Sequence, residues 1–404
     1  MTTMNPPLHG IRVLDLTNIV AGPLATYQMV MMGAEVIKIE TPKSGDLSRK
    51  MGADKALAQQ NMGVSFCANN AGKKSLSLNL KAPEGKAIFL RMVKEADVVI
   101  ENFRPGVMKR LGLDYEKLKA LNAGLIYCSV SGFGQEGPLS QRPAYDQIVQ
   151  GFSGLMSLTG NEKTAPTRAG YIACDAMGAM SAAFAICAAL VRKQKTGEGE
   201  CIDVSLLDAT LSTMAVWVVS NYLNAGAIPK PMGNENHTAA PSGTFQCQEG
   251  QINIVNNEEH QFMALCDVLG HPQWKTDARF NERHQRIAHR EILRELIEKI
   301  LSTQNATFWE KAFTQAGVPV GPVFSVPQVL AQDQIAHRGL LKTFPNALGE
   351  GRDLTIAKTG YRLSNTPPDV MSPPPRLGEH GDEILKNLGY DEEGLIRLKT
   401  EGVI

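Results

Sequence analysis

The chain has 404 residues, 43% hydrophobic and 20% charged, the make-up of a globular protein large enough for two domains or three. Lys plus Arg and Asp plus Glu number 41 each, so no bulk field draws it to nucleic acid or an acidic membrane, and an anion must be held by a local cluster. No secretion or import pattern, no run of 18 apolar residues, no CxxC pair and no HxxxH or HExxH spacing are present, which predicts a reduced cytoplasmic protein with no structural metal.

Ile11 to Leu16 reads as a strand, Asn18 to Pro23 as a loop, the segment to Met32 as a helix closing on Gly33, and Glu35 to Glu40 as a second strand. That is a βαβ unit with a right-handed crossover. It lacks GxGxxG, which disfavours a dinucleotide enzyme of the usual kind. Strands at Ser75–Leu80, Val98–Glu101, Leu125–Val130 and Glu200–Val204 alternate with helices, the first over Pro83 to Glu95. The fold class is therefore α/β, a doubly wound, mostly parallel, Rossmann-like sheet in a large domain. Leu206 to Asn224 reads as one long helix. A different layout follows, with a hairpin over Thr244 to Val255 turning at Glu249-Gly250 and helices at 258–269, 283–301 and 306–316, a small α+β domain. A strand at 354–363 and helical sequence from Gly381 complete the chain. The expected division is 1–207 large domain, 208–242 linker or lid, 243–324 small domain, 325–345 linker, and 346–404 returning to the large domain.

Asp175 sits between small and apolar neighbours, just ahead of the helical run Ala179 to Leu190. An anion is favoured at the electropositive start of a helix. The plain reading is an N-cap, costing about 1 kcal/mol if lost; the functional one is a reactive carboxylate. Gly22-Pro23, Gly45-Asp46 and Asn102 to Gly106 fall at the carboxyl ends of strands, where open parallel sheets bind ligands. Lys43, Arg49, Lys73, Lys74, Lys81, Arg104, Lys109, Arg110 and Arg142 gather near that edge. They read as solvated surface, or, around one crevice, as the holder of a phosphorylated ligand.

The ordered set Gly10 to Thr17, Ala21-Gly-Pro23, Gly33 to Glu40, Gly45-Asp46, Lys74 to Leu80, Ala96 to Gly106, Ser131 to Gly134, Tyr145-Asp146, Lys195 to Gly199, Gly317 to Pro322 and Leu377 to His380 resembles the class III CoA-transferases over nearly the whole length. The resemblance implies an interlocked homodimer and an aspartate nucleophile at Asp175. It also implies CoA contacts at Val20, Ala21, Leu78, Lys81, Asn102, Phe103, Arg104, Arg110, Arg142 and Tyr145, with CoA as co-substrate beside a small carboxylic acid and no metal, nucleic acid or membrane partner. Thr41 stands where the formyl-CoA transferases of that family have an arginine, so that contact is lost or moves to Lys43. An α-methylacyl-CoA racemase is the nearest alternative, but it needs a histidine where Ala144-Tyr145-Asp146 stands here. A non-catalytic CoA-binding protein would have no use for Asp175.

Overall fold

The computed structural model describes residues 5–404. Six strands form one parallel sheet: β1 (Arg12–Asp15), β2 (Glu35–Glu40), β3 (Lys74–Ser77), β4 (Val98–Glu101), β5 (Ile126–Ser131) and β6 (Glu200–Ser205). Their spatial order is β3-β2-β1-β4-β5-β6. The order reverses between β1 and β4, whose register pairs Leu14 with Val99. Val98 to Glu101 is buried throughout, as a strand covered on both faces must be.

Helices cover the two faces as separate apolar layers. On one, Ala21–Met31 packs against Ala173–Thr196, with Ala25, Met29, Ala179, Ala182 and Ile186 buried over Val13, Val98 and Ile126. By length and composition alone Ala173–Thr196 could cross a membrane. Its inner face is instead part of this core. On the other, Ile88, Phe89, Ile384, Leu385, Leu395 and Leu398 pack over Leu14, Ile37, Leu76 and Val99. The end of the chain thus supplies two helices, Gly381–Asn387 and Glu392–Thr400, to the layer begun by Pro83–Val93.

The chain divides into two compact units, one of residues 5–155, Ala169–Ala227 and Ala336–Ile404, the other of Met156–Arg168 and Ile228–Ile335. One boundary lies within 208–242 and another within 325–345, while 156–168, inside the expected large domain, groups with the second unit. That unit holds an antiparallel sheet of β7 (Ser242–Gln246), β8 (Gln251–Val255) and β9 (Val320–Pro322). Helices Glu259–Val268, Arg290–Leu301 and Ala306–Gln315 bury Phe262, Leu293, Ile297 and Phe313 with Phe245 and Ile252.

Four local expectations are corrected. The helix expected over 283–301 breaks at His289, whose backbone turns to φ of −108° and ψ of 25° and starts a second helix, Arg290–Leu301, although its N–H still donates to the Gln285 carbonyl at 2.9 Å. The helix expected over 206–224 is Leu206–Thr213, a wider turn at Ala215–Val219, then Ser220–Ala225. β9 is three residues containing Gly and Pro, too short and too atypical to announce itself. β10 (Leu341–Phe344), inside a stretch read as linker, pairs antiparallel with β11 (Leu354–Ala357) but buries only Phe344.

Candidate active site

The strand order reverses at the paired β1 and β4, so the chain leaving Asp15 and the chain leaving Glu101 diverge around a crevice. Asn102 ties the two together: the Asn18 N–H donates to its Oδ1 at 2.8 Å, and its Nδ2 donates to the Asn18 carbonyl at 2.8 Å. Its amide is thus engaged with backbone. Ile19 follows with φ of 70°, a left-handed conformation that costs a β-branched residue of order 1–3 kcal/mol. Asp46 holds it there, accepting the Ile19 N–H at 3.0 Å.

Beneath that turn lies a dry ionic cluster. Lys38 Nζ donates to the Thr17 carbonyl at 2.7 Å and pairs with Asp46 at 2.9 Å. Lys73 pairs with Asp15 at 3.0 Å, and Arg49 pairs with Glu40 at 2.6 Å. Arg49 and Lys73 are therefore neither solvated surface nor ligand holders: both are buried, and their charges are consumed by these carboxylates. Lys74 is also spent, pairing with Glu35 and Glu383. His380 braces the chain's return, its Nδ1 accepting the Ser75 N–H at 3.3 Å.

Above the turn opens a cleft of about 260 Å³ lined by Val20, Ala21, Arg104, Arg142, Tyr145 and Asp175, with Asn102 and Phe103 at its wall. A second cavity of about 690 Å³ is lined by Leu78, Lys81, Thr41 and Lys43 and shares Asn18 and Phe103 with the first. Arg110 lines neither; its Nη1 lies 3.2 Å from the point a Cβ on Gly106 would occupy. Arg142 stands with its guanidinium 5.0 Å from the centre of the Phe152 ring. Two glycines let the walls approach. A Cβ on Gly178 would fall 2.2 Å from Leu206 Cδ2, and one on Gly132 would fall 2.3 Å from Ala144 Cβ.

Asp175 lies in the first turn of Ala173–Thr196, half-buried, and does not cap it. The capping is done by Asp146, whose Oδ1 accepts the Cys174 N–H at 2.8 Å and the Asp175 N–H at 3.3 Å. Asp146 is held in turn by Gln150, which donates to its Oδ2 at 2.6 Å while fixed by the Tyr171 carbonyl and the Ala169 N–H. The sequence reading passed over this pair, and the available signal was an Asp and a Gln four apart at a helix start. The division of labour leaves the Asp175 carboxylate without a hydrogen-bond partner among the described residues.

The helix start was expected to favour an ionised Asp175. Burial, and then the charge of Asp146, outweigh it and push the carboxyl up to about 7. Two results are expected. The rate constant kcat/KM, which reports the free enzyme, should rise as pH passes through about 7, because only the ionised form is nucleophilic. A folded pKa above the unfolded one means that this side chain's contribution to stability is fullest below the ordinary carboxylate range and is lost as pH rises toward 7. Asp175→Asn should therefore melt progressively higher than the wild type between pH 5 and pH 8, a trend that differential scanning calorimetry would read.

Cys174, adjacent but fully buried with its thiol pKa raised by burial, is no rival nucleophile.

A doubly wound sheet with a two-part cleft at its switch point, and an unengaged carboxylate on the wall, has the layout of a ligand-binding enzyme site. The family model for CoA-transferase family III matches residues 8–381, and the chain belongs to that family. It is 40% identical over 387 residues to acetyl-CoA:oxalate CoA-transferase of Acetobacter aceti, covering 96% of this chain and 97% of the relative. It is 33% identical over 400 residues to the human succinyl-CoA:glutarate CoA-transferase, covering 98% and 90%. A CAIB/BAIF family protein from Brucella suis has the same fold, with TM-score 0.83, 34% identity, and coverage of 95% of this chain and 100% of that one. The chain is thus a CoA-transferase, with acyl-CoA as co-substrate.

Proposed function

We propose that the protein moves CoA from an acyl-CoA thioester to a free short-chain carboxylic acid, most readily a dicarboxylic acid, through covalent intermediates on Asp175. The observation that carries the reading is that carboxylate: relieved of capping by Asp146 and open to the cleft at the switch point.

In this mechanism the Asp175 carboxylate attacks the thioester carbonyl, and the C–S bond breaks to release CoA thiolate, a good leaving group because a thiol's pKa is about 8.5. The product is an acyl-aspartyl anhydride. The thiolate, retained by its nucleotide end, attacks the aspartyl carbonyl and expels the donor acid, which leaves carrying one oxygen of Asp175. The aspartyl-CoA thioester is then attacked by the acceptor carboxylate, giving a second anhydride and thiolate. Attack of the thiolate on the acceptor carbonyl forms the new acyl-CoA and restores Asp175 with one oxygen from the acceptor. Over the whole cycle one thioester is exchanged for another, so the acyl activation is conserved.

Val20, Ala21, Asn102, Arg104, Arg142 and Tyr145 would hold the pantetheine and thioester end, and Leu78, Lys81 and Phe103 the nucleotide end, with Lys43 in place of an arginine at Thr41. Arg110 would reach CoA only from outside both cavities. Relatives named for oxalate, glutarate and citramalate as acceptors support a dicarboxylic acid. A matrix of acyl-CoA donors and acids, read by mass spectrometry of the new thioester, should show transfer to one or a few small dicarboxylates. Deuterium wash-in at Cα of a 2-methylacyl-CoA without any acceptor acid would replace this reading with racemisation.

The reading also places the protein in the cytoplasm as a homodimer. Ala173–Thr196 and the helices at 206–225 leave Phe184 and Val191, then Trp217 and Leu223, 55–78% exposed, apolar side chains that a second copy would cover. Light scattering should give twice the chain mass, and Phe184→Glu with Trp217→Glu should halve it.

A further inference from the structure

The larger cavity has a wall that the sequence reading did not assign to the site. Beside Leu78 and Lys81 it is lined by Lys399, Thr400, Gly402 and Ile404, the end of helix Glu392–Thr400 and the residues after it. That segment is anchored from beneath. Leu395 and Leu398 are buried in the apolar layer over the sheet, and Val403 is buried beside them. Gly402, at φ of 68°, turns the chain back so that the Val403 N–H donates to the Leu398 carbonyl at 2.9 Å. The Asn79 N–H then donates to the Val403 carbonyl at 2.7 Å, which fastens the segment to the chain leaving β3.

The result is a slot lined by the apolar Leu16, Ile39, Leu80, Phe103 and Leu111 and by Lys43 and Lys81. Lys43 and Lys81 have no ion-pair partner among the described residues, whereas Lys399 is paired with Asp382. An apolar slot with free cations in its lining, joined through Asn18 and Phe103 to the cleft that holds Asp175, matches one kind of occupant: a purine base flanked by phosphate.

We propose that residues 399–404 form one wall of the site for the adenosine 3′,5′-bisphosphate end of CoA, so that the end of the chain sets nucleotide affinity while Asp175 sets chemistry. This deepens the CoA-transfer reading and rests on it. Thr400 is the residue to test, because it is exposed at the helix end and a larger side chain there fills the slot without disturbing Leu395 or Leu398.

Thr400→Trp should weaken binding of adenosine 3′,5′-bisphosphate and of CoA by about tenfold or more in titration calorimetry, and leave binding of 4′-phosphopantetheine unchanged. Ile396→Trp, one turn earlier and 65% exposed outside the slot, is the control and should match the wild type for all three ligands. Equal bisphosphate affinity in Thr400→Trp and wild type overturns the proposal, as does a wild type that does not bind the bisphosphate, or a loss shared by 4′-phosphopantetheine. Failure of the broader reading shows separately, as a wild type that binds these ligands yet exchanges no CoA between thioester and acid.

Discussion

Asp175→Asn should abolish CoA exchange between a thioester and a free acid, by a factor of about 10⁴ or more in kcat, while far-UV circular dichroism and cooperative unfolding are retained. The amide is nearly isosteric with the carboxylate but has no anionic oxygen with which to form an anhydride. The fold should tolerate it because Asp175 neither caps its helix nor accepts a hydrogen bond there, those tasks belonging to Asp146. Two chemical readouts separate a covalent role from an electrostatic one. Borohydride added with donor present should reduce the side chain of residue 175 in the wild type alone. Acceptor acid labelled with ¹⁸O should leave label in Asp175 after a single turnover. Modification at another residue, or an unlabelled Asp175, would exclude the anhydride route even if the mutant proved inactive.

Lys38→Met should lower stability at pH 7 by about 3–5 kcal/mol in urea unfolding, because it leaves the buried carboxylates Asp15 and Asp46 short of one cation. Lys38 is fully buried, pairs with Asp46, and holds the Thr17 carbonyl just before the strained Ile19 turn. The acid side should change as well. Burial by itself would raise Asp15, Glu40 and Asp46, but the cations Lys73, Lys38 and Arg49, with hydrogen bonds, outweigh it and hold all three below the ordinary carboxylate range. Groups with depressed folded pKa values contribute stability that is present above the ordinary carboxylate range and lost as pH falls through the folded values. With Lys38 gone, Asp15 and Asp46 are held down less firmly, so the acid-unfolding midpoint should move to higher pH. KM for acyl-CoA should rise too, since Asp46 is then less firmly placed to hold Ile19 at the mouth of the cleft. An unchanged acid midpoint would show that the cluster's charges are already neutralised without Lys38.

The elements legible in the sequence were those with a strong period or a strong stop. Val13-Leu14, Val36-Ile37 and Val98-Val-Ile100 are continuous apolar runs bounded by turn residues, and Pro83 in a first helical turn marks a start that only helices use. What escaped lacked such a signal. β10 and β9 owe their existence to partners, β11 and β8, and carry almost no buried side chain of their own. His289 interrupts a helix whose amphipathic pattern continues straight through it, its backbone leaving the helical range at φ of −108° and ψ of 25°.

The candidate site was legible only as a set of residue types. Sequence by itself determined that the sheet is parallel and doubly wound, that its carboxyl edge carries Gly, Pro and Asn turns, and that a carboxylate stands at the head of an apolar helix. Tertiary structure decided which charges are free. Arg49 and Lys73 looked like Lys43 and Lys81 in the sequence, yet the first two are sealed against Glu40 and Asp15, while the other two face an open cavity. It also decided that Asp146, rather than Asp175, satisfies the helix start, and that residues 399–404 line a pocket begun more than 300 residues earlier. The physical reason is one of range. Periodicity and turn preference act over a few neighbouring residues and can be read along the chain, whereas burial and charge pairing depend on which distant segments pack together, and they alone decide whether an ion is structural or reactive.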